Sequence, residues 1–464
     1  HTVAAAKDIT IAGAISNNTN GNSLTLKASR DILVSAAIAG ATDKSLATYF
    51  YSDVDNTGGG GFKSTVSTAT INTFGGNITI GGGTADGTSG CGTTYSCTAG
   101  YASYGGSQLD TIGVLLWSSL NAAGGNISIY GRGNSTASTT GVGIWIDFTG
   151  TVFSTSGTGT ITLNGVSTGP NYGIYHYKGD VSAGTGLISI TATAGSTSAY
   201  SGYKMVAGSI TSSGALSILG TGGSNEYGVF ILGAGSITVA GHITINGQNA
   251  SGNWGVSIEG SKAVQTTAGN ISVTAVGSGG FYLVGSLLAG NHLTTPTDGG
   301  NISINATGNS TYALQLNTGS LISYGAASIT ATGSSTYAFY LHGTGGKVRS
   351  ASGITITATS GTWGLYMADN TFIQSTKANS ASTGNILITA SGTSGGVNLY
   401  TTGGIYASSN TTTPTATPTA GGTLTISATG TSGQGLYATS AGSLLSYGAM
   451  FITGIAQGTA GDYG

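Results

Sequence analysis

Charge is the scarcest property of this 464-residue chain: Asp, Glu, Lys and Arg together make up 6% of it, against about 25% in an average soluble domain. Proline occurs 4 times, methionine 3 times and cysteine twice. A net charge of −2 provides no field for nucleic acid or an anionic membrane surface. No uninterrupted apolar run of membrane-spanning length occurs. The opening residues, His1-Thr2-Val3-Ala4, carry none of the basic, apolar and cleavage-site sections of a signal peptide. Few helix formers of the Glu, Lys and Arg type are present, which argues against helices.

What is abundant is glycine, at 84 residues, together with Thr, Ser, Ala, Ile and Tyr. Thr, Ile and Tyr suit a pleated, half-buried surface, and glycine suits the turns between strands. Disorder combines low hydrophobicity with high net charge. Here 39% of the residues are apolar. An all-β chain rich in turns is expected.

A short triplet, apolar then Thr or Ser then apolar, recurs throughout. It appears as Ile78-Thr79-Ile80, Ile127-Ser128-Ile129, Ile161-Thr162-Leu163 and Ile188-Ser189-Ile190. It continues as Leu216-Ser217-Ile218, Ile243-Thr244-Ile245, Ile271-Ser272-Val273, Ile302-Ser303-Ile304, Ile354-Thr355-Ile356, Ile386-Leu387-Ile388 and Leu424-Thr425-Ile426. From Ile161 to Ile271 the spacings are 27, 28, 27 and 28 residues. After most triplets comes an aromatic residue, then usually a small one, then apolar alternation: Tyr172, Tyr200, Tyr227, Trp254, Phe281, Tyr312, Tyr337 and Trp363. A third short strand follows, as in Gly235-Ser236-Ile237-Thr238-Val239. Three strands per period with no helical segment between them predict a right-handed parallel β-helix (β-solenoid) with coils of about 27 residues. One coil cannot bury its own apolar face, so stability comes from stacking like residues on neighbouring coils.

The aromatic series is expected to form a ladder along one side. Its structural role is ring stacking, and its functional alternative is a strip that contacts glycans. Asparagine precedes the triplet at Asn77, Asn126, Asn270, Asn301 and Asn385, where stacked side chains form a second ladder.

Residues 1–75 read as irregular N-terminal coils, and 76–124 as a coil carrying a long loop excursion. Residues 125–464 read as regular coils with insertions near 291–299, 376–383 and 408–420. Cys91 and Cys97, in the excursion, read as a small-loop disulfide, with a pair of reduced surface thiols as the alternative.

Segments such as Lys7-Asp8-Ile9-Thr10-Ile11 and Leu24-Thr25-Leu26, with the Gly-Asn-Ile-Thr/Ser-Ile motifs at 76–80, 125–129 and 300–304, resemble the repeat region of filamentous-haemagglutinin-like exoproteins. The motifs are also similar to those of autotransporter passengers. The first resemblance implies a prokaryotic cell-surface or extracellular fibre exported by the two-partner route.

Catalysis is tested directly. Carbohydrate-cleaving β-helices need clustered carboxylates, and this chain has 14 acidic residues, of which only Glu226 and Glu259 are glutamate. Asp53-Val54-Asp55 is the one close pair, and it reads as a solvated turn, with weak Ca²⁺ binding as the alternative. His176, His242, His292 and His342 fall at different points of the repeat and do not converge; those at 176 and 342 are expected to face outward or line the wall. No catalytic or metal site and no cofactor is assigned, and the chain is read as a non-enzyme.

Val3 precedes Ile9 by the interval that separates Ile237 from Ile243, so the chain reads as opening on a third strand. Val3, Ile9, Ile11, Ile452 and Tyr463 are the expected contacts of a head-to-tail homopolymer, with a segment of a longer solenoid as the alternative. A carbohydrate-binding or carbohydrate-cleaving protein is the competing reading.

Overall fold

The computed structural model describes residues 1–54, 60–82, 99–101, 111–133, 141–147, 149–150, 152–195, 200–249, 251–260, 263–290, 299–376, 384–408, 422–439 and 442–458. Among these every regular element is a β-strand, and the chain is a parallel β-solenoid with three strands per coil of roughly 28 residues. Cys91, Cys97 and Tyr463 lie outside the described residues, as do almost all of the three expected insertions. The chain divides into two compact units, His1–Val239 and Ala240–Gly464. The division does not follow the boundaries expected at 75 and 124.

In unit 1 the triplets seed the first strand of each coil. Ile161–Ser167 pairs in parallel with Ile188–Thr193, which pairs with Leu216–Gly222. Ile161, Ile188 and Leu216 therefore form one interior column, and Leu163, Ile190 and Ile218 a second; all are at most 1% exposed. The third inward position of these strands is small, at Gly131, Gly165, Ala192 and Gly220. A methyl at Gly165 would strike the Gly173 carbonyl and the Ile174 side chain, because the chain turns sharply there into its second strand. In Tyr203–Ser212 and Val229–Val239 the second and third strands merge into one bent strand, with a register shift at Met205/Ala207.

The first coils obey the same ladder with a shorter period, as Thr2–Ala5 pairs with 25–28 and Ile9–Ile11 with 32–34. This corrects the expected opening. Val3 lies on a first strand, opposite Leu26, and Ile9 on a second, opposite Ile32. In these short coils the two strands follow each other closely, so the interval that separates third from first strands elsewhere separates first from second here.

Unit 2 repeats the scheme with greater regularity. Ile243, Ile271, Ile302, Ala327, Ile354, Ile386 and Leu424 stack in one inner column. Ile245, Val273, Ile304, Ile329, Ile356, Ile388 and Ile426 stack in the next. Between Gly247 and Gly454 the small third column carries alanine here, at Ala275, Ala306, Ala331, Ala358, Ala390 and Ala428. Outward positions between them are largely Thr, Ser and Asn.

Two polar devices close the corners. The expected asparagine row supplies acceptors where the turn interrupts the main-chain ladder. Asn77 Oδ1 accepts from Asn126 N at 2.9 Å, Asn270 Oδ1 from Asn301 N at 2.8 Å and Asn385 Oδ1 from Thr423 N at 2.9 Å. His242 occupies the equivalent place, its Nδ1 accepting from Asn270 N at 2.9 Å. At the end of the third strand, hydroxyls reach turn carbonyls: Thr155 to Gly125 at 2.6 Å, Ser212 to Gly184 at 3.1 Å, Thr266 to Gly241 at 2.6 Å and Ser350 to Gly325 at 2.7 Å. Each such bond satisfies a group whose burial unpaired would cost about 1–3 kcal/mol.

Candidate functional site

The features that set one coil face apart are aromatic, and they lie on and before the second strands. In several coils an outward aromatic opens or precedes this strand, a small residue turns the corner, and the strand then alternates. A side chain at Gly173 would meet the backbone of Thr193 on the next coil, and one at Gly255 the backbone of Val276. Because the corner consumes one residue, the next outward position falls three after the first aromatic rather than two. Tyr172 is followed by Tyr175, Tyr227 by Phe230, Tyr337 by Tyr340 and Trp363 by Tyr366. The sequence reading named only the first of each pair.

In unit 1 the second outward column runs Leu33, Lys63, Leu115, Trp145, Tyr175, Lys204, Phe230. Tyr172 stacks on Tyr175 at 4.8 Å between ring centroids and meets Tyr200 edge-on at 4.8 Å. Tyr227 packs on Phe230 at 4.2 Å. Two ammonium groups sit among these rings. Lys204 Nζ donates to Tyr172 Oη at 3.0 Å and lies 5.0 Å from the Tyr172 ring and 5.3 Å from the Phe230 ring. Lys178 Nζ lies 4.9 Å from the Tyr177 ring. Burial raises the Tyr172 hydroxyl well above its ordinary value and pushes that of Tyr175 up to about 12. Trp117, Asp147, Thr149 and Lys178 line a shallow hollow beside this strip. Burial raises the Asp147 carboxyl, and the Lys178 charge pulls it the other way.

In unit 2 the first aromatic column holds Tyr312, Tyr337 and Trp363 in register. Tyr312 and Tyr337 are 5.7 Å apart and inclined by 18°. Trp254 joins them across an intervening coil, 6.3 Å from Tyr312 and inclined by 10°. The position between them is Gly279. Phe281, expected in this ladder, is not part of it. It pairs with Val256 and Leu314 in an interior column and is fully buried. Gly279-Gly280 fills the corner of that coil, so its first aromatic lies on the inward parity of the strand. The outward residue of that coil is Tyr282, which packs on Trp254 at 5.3 Å.

The second outward column of unit 2 runs Ser257, Tyr282, Gln315, Tyr340, Tyr366, Asn398, Tyr437. Polar side chains thread between the rings. Asn317 Nδ2 donates to Tyr282 Oη at 3.2 Å, and Gln315 Nε2 donates to His342 Nε2 at 2.7 Å. The His342 imidazole stacks on Tyr340 at 4.1 Å, and burial lowers its pKa. Among the described residues, no Lys or Arg occupies a second strand of this unit.

His176 departs from the outward or wall-lining role expected of it. It points inward between Ile146 and Met205 and is fully buried. Gly179 O can only accept, so the 2.8 Å contact fixes the proton on Nε2 and leaves Nδ1 to accept from Tyr203 Oη at 3.0 Å. Burial pushes this imidazole below its ordinary value.

Asp8 and Asp31 share Arg30, and Asp31 N donates to Asp8 Oδ1 at 3.2 Å. Elsewhere Asp180 accepts from Ser209 at 2.6 Å, Glu226 from Ser201 at 3.2 Å and Glu259 from Ser257 at 2.8 Å. Among the described residues no three His, Cys, Asp or Glu side chains are grouped so as to hold a metal ion.

Comparison with protein-family models, with curated proteins and with solved structures returns no match. The fold is that of a β-helical repeat protein, and the functional reading rests on its own geometry.

Proposed function

We propose that this chain is a structural protein of an extracellular or cell-surface fibre, adhesive or matrix-forming, rather than an enzyme. The observation that carries the reading is the in-register stacking of like residues from coil to coil in each unit, an architecture in which each coil is completed by another of the same kind. Ile452 continues this rule on the strand Met450–Ala456, in the column of Ile426. A second copy stacked by the same rule would give a heterologous contact that repeats without closing. The low net charge opposes this little. The resemblance of the repeats to filamentous-haemagglutinin-like exoproteins agrees with export to a prokaryotic surface.

Electron microscopy and sedimentation across a concentration series test the polymer. Filaments that lengthen with concentration and disappear in Ile452→Lys are expected. Discrete monomers at every concentration would overturn the reading. The competing carbohydrate-binding reading draws on a different observation, the neutral aromatic strip of unit 2.

A further inference from the structure

We infer that the second-strand face of unit 2 is a binding track for an extended, uncharged polysaccharide, with Trp254 and Trp363 as its platforms. This goes beyond the filament reading and is independent of it, since a chain that never polymerises would still carry the track.

Two glycines seat the two indoles. A Cβ placed on Gly279 would meet Cε3, Cδ2 and Cζ3 of Trp254 at 2.5, 2.6 and 2.8 Å. Three consecutive ring atoms nearly equidistant from one point place that point over the ring face, not at its edge. The indole therefore lies flat on the glycine of the next coil. Gly395 stands in the same relation to Trp363, with Cζ3, Cε3 and Cη2 nearest. Both indoles remain partly exposed. A flat, outward indole face is the surface on which the C–H face of a pyranose ring packs.

Between the platforms, Tyr312, Tyr337, Tyr340 and Tyr366 continue the strip, with neighbouring rings 4.6–5.7 Å apart. Trp254 and Trp363 are four coils apart in register, which at 4.7–4.9 Å per coil is about 19 Å. That length accommodates several linked sugar rings lying along the coil axis. Tyrosine hydroxyls and the Gln315 and Asn317 amides supply hydrogen-bonding groups beside the rings. Among the described residues Lys and Arg are missing from the second strands of this unit, so a uronate or sulfated chain would find no cation on those strands to pair with. Ring faces edged by amides and hydroxyls, on strands without cations, match the chemistry of a neutral glycan.

Electrophoresis of the full chain through gels containing a soluble neutral β-glucan, a galactomannan or polygalacturonate tests the track. Ile452→Lys is used throughout, so that polymerisation and binding are read separately. Retardation by at least one neutral gel, and by polygalacturonate weakly or not at all, is expected. Trp254→Ala with Trp363→Ala should weaken it about tenfold or more, equivalent to about 1.4 kcal/mol. Should those variants fail to fold, intrinsic fluorescence decides. In a Trp117→Phe, Trp145→Phe background, emission from the two remaining indoles should shift on addition of a neutral oligosaccharide. No retardation by either neutral gel with no fluorescence change would overturn the proposal. So would equal retardation by polygalacturonate, retention unchanged in folded Ala variants, or self-association through this face that the Trp variants abolish.

Discussion

The aromatic strips of the two units are built on the same corner and finished differently. In unit 1, Lys204 bonds Tyr172 and lies against two rings, while Lys178 lies against Tyr177. That strip carries cations of its own. In unit 2 the second strands are without Lys or Arg among the described residues, and two indoles roof two glycines. The interiors differ in the same measured way, with glycine predominating in the small column of unit 1 and alanine in unit 2. The coil fixes which positions point inward and how large they can be. It leaves outward chemistry free, and that is where the units diverge.

Four substitution tests sharpen this comparison, from the largest expected effect to the smallest. Ile190→Ala in unit 1 and Ile356→Ala in unit 2 each remove a buried member of an equivalent column. Both should cost about 2–5 kcal/mol in denaturant unfolding. A much smaller loss in one unit would show that its interior is not packed as described.

Gly165→Ala should cost about 1–3 kcal/mol, because its methyl meets the Gly173 carbonyl. The reciprocal change, Ala358→Gly, should cost about 1 kcal/mol through backbone entropy and lost packing. Equal and negligible effects would erase the distinction between the two small columns.

A pH titration separates the units by another route. The folded His176 imidazole is held below its ordinary value of 6.5, so below about that pH the unfolded chain binds a proton that the folded chain refuses. Stability of unit 1 should be intact above 6.5 and fall as pH is lowered, by up to about 1.4 kcal/mol per pH unit, levelling only once the depressed folded value is passed. Hydrogen exchange resolved by unit should show the loss around His176, and His176→Gln should remove it. Lys204→Met should cost least, about 0.5–1 kcal/mol from lost cation–π contact, and only in unit 1.

Much of the fold was legible because the ladder stacks like on like. The Ile/Leu triplets mark the first strands, and their spacing gives the coil. Four first strands escape that signal for definable reasons. His1-Thr2-Val3, Thr48-Tyr49-Phe50 and Ala327-Ser328-Ile329 lack the first large aliphatic residue, and Met450-Phe451-Ile452 has Phe451 where Thr or Ser recurs. The aromatic strip was half legible. Counting from the triplet locates the first ring but not the corner that shifts parity, so Phe281 was placed outward and Tyr175, Tyr340 and Tyr366 were passed over. The aromatic-x-x-aromatic spacing carries that corner in the sequence. His176 was missed as a buried residue because polarity at an inward position is intelligible only once Tyr203 and Gly179 are beside it.

In the solenoid, residues one coil apart stand directly over each other. In a Cys91→Ser, Cys97→Ser background, Thr330→Cys with Thr357→Cys places two thiols at register partners, about 4.8 Å apart at Cα and within disulfide reach. Mild oxidation should join this pair nearly completely and leave Thr330→Cys with Thr355→Cys reduced. Joining of the second pair in preference to the first would contradict the register on which the solenoid is built.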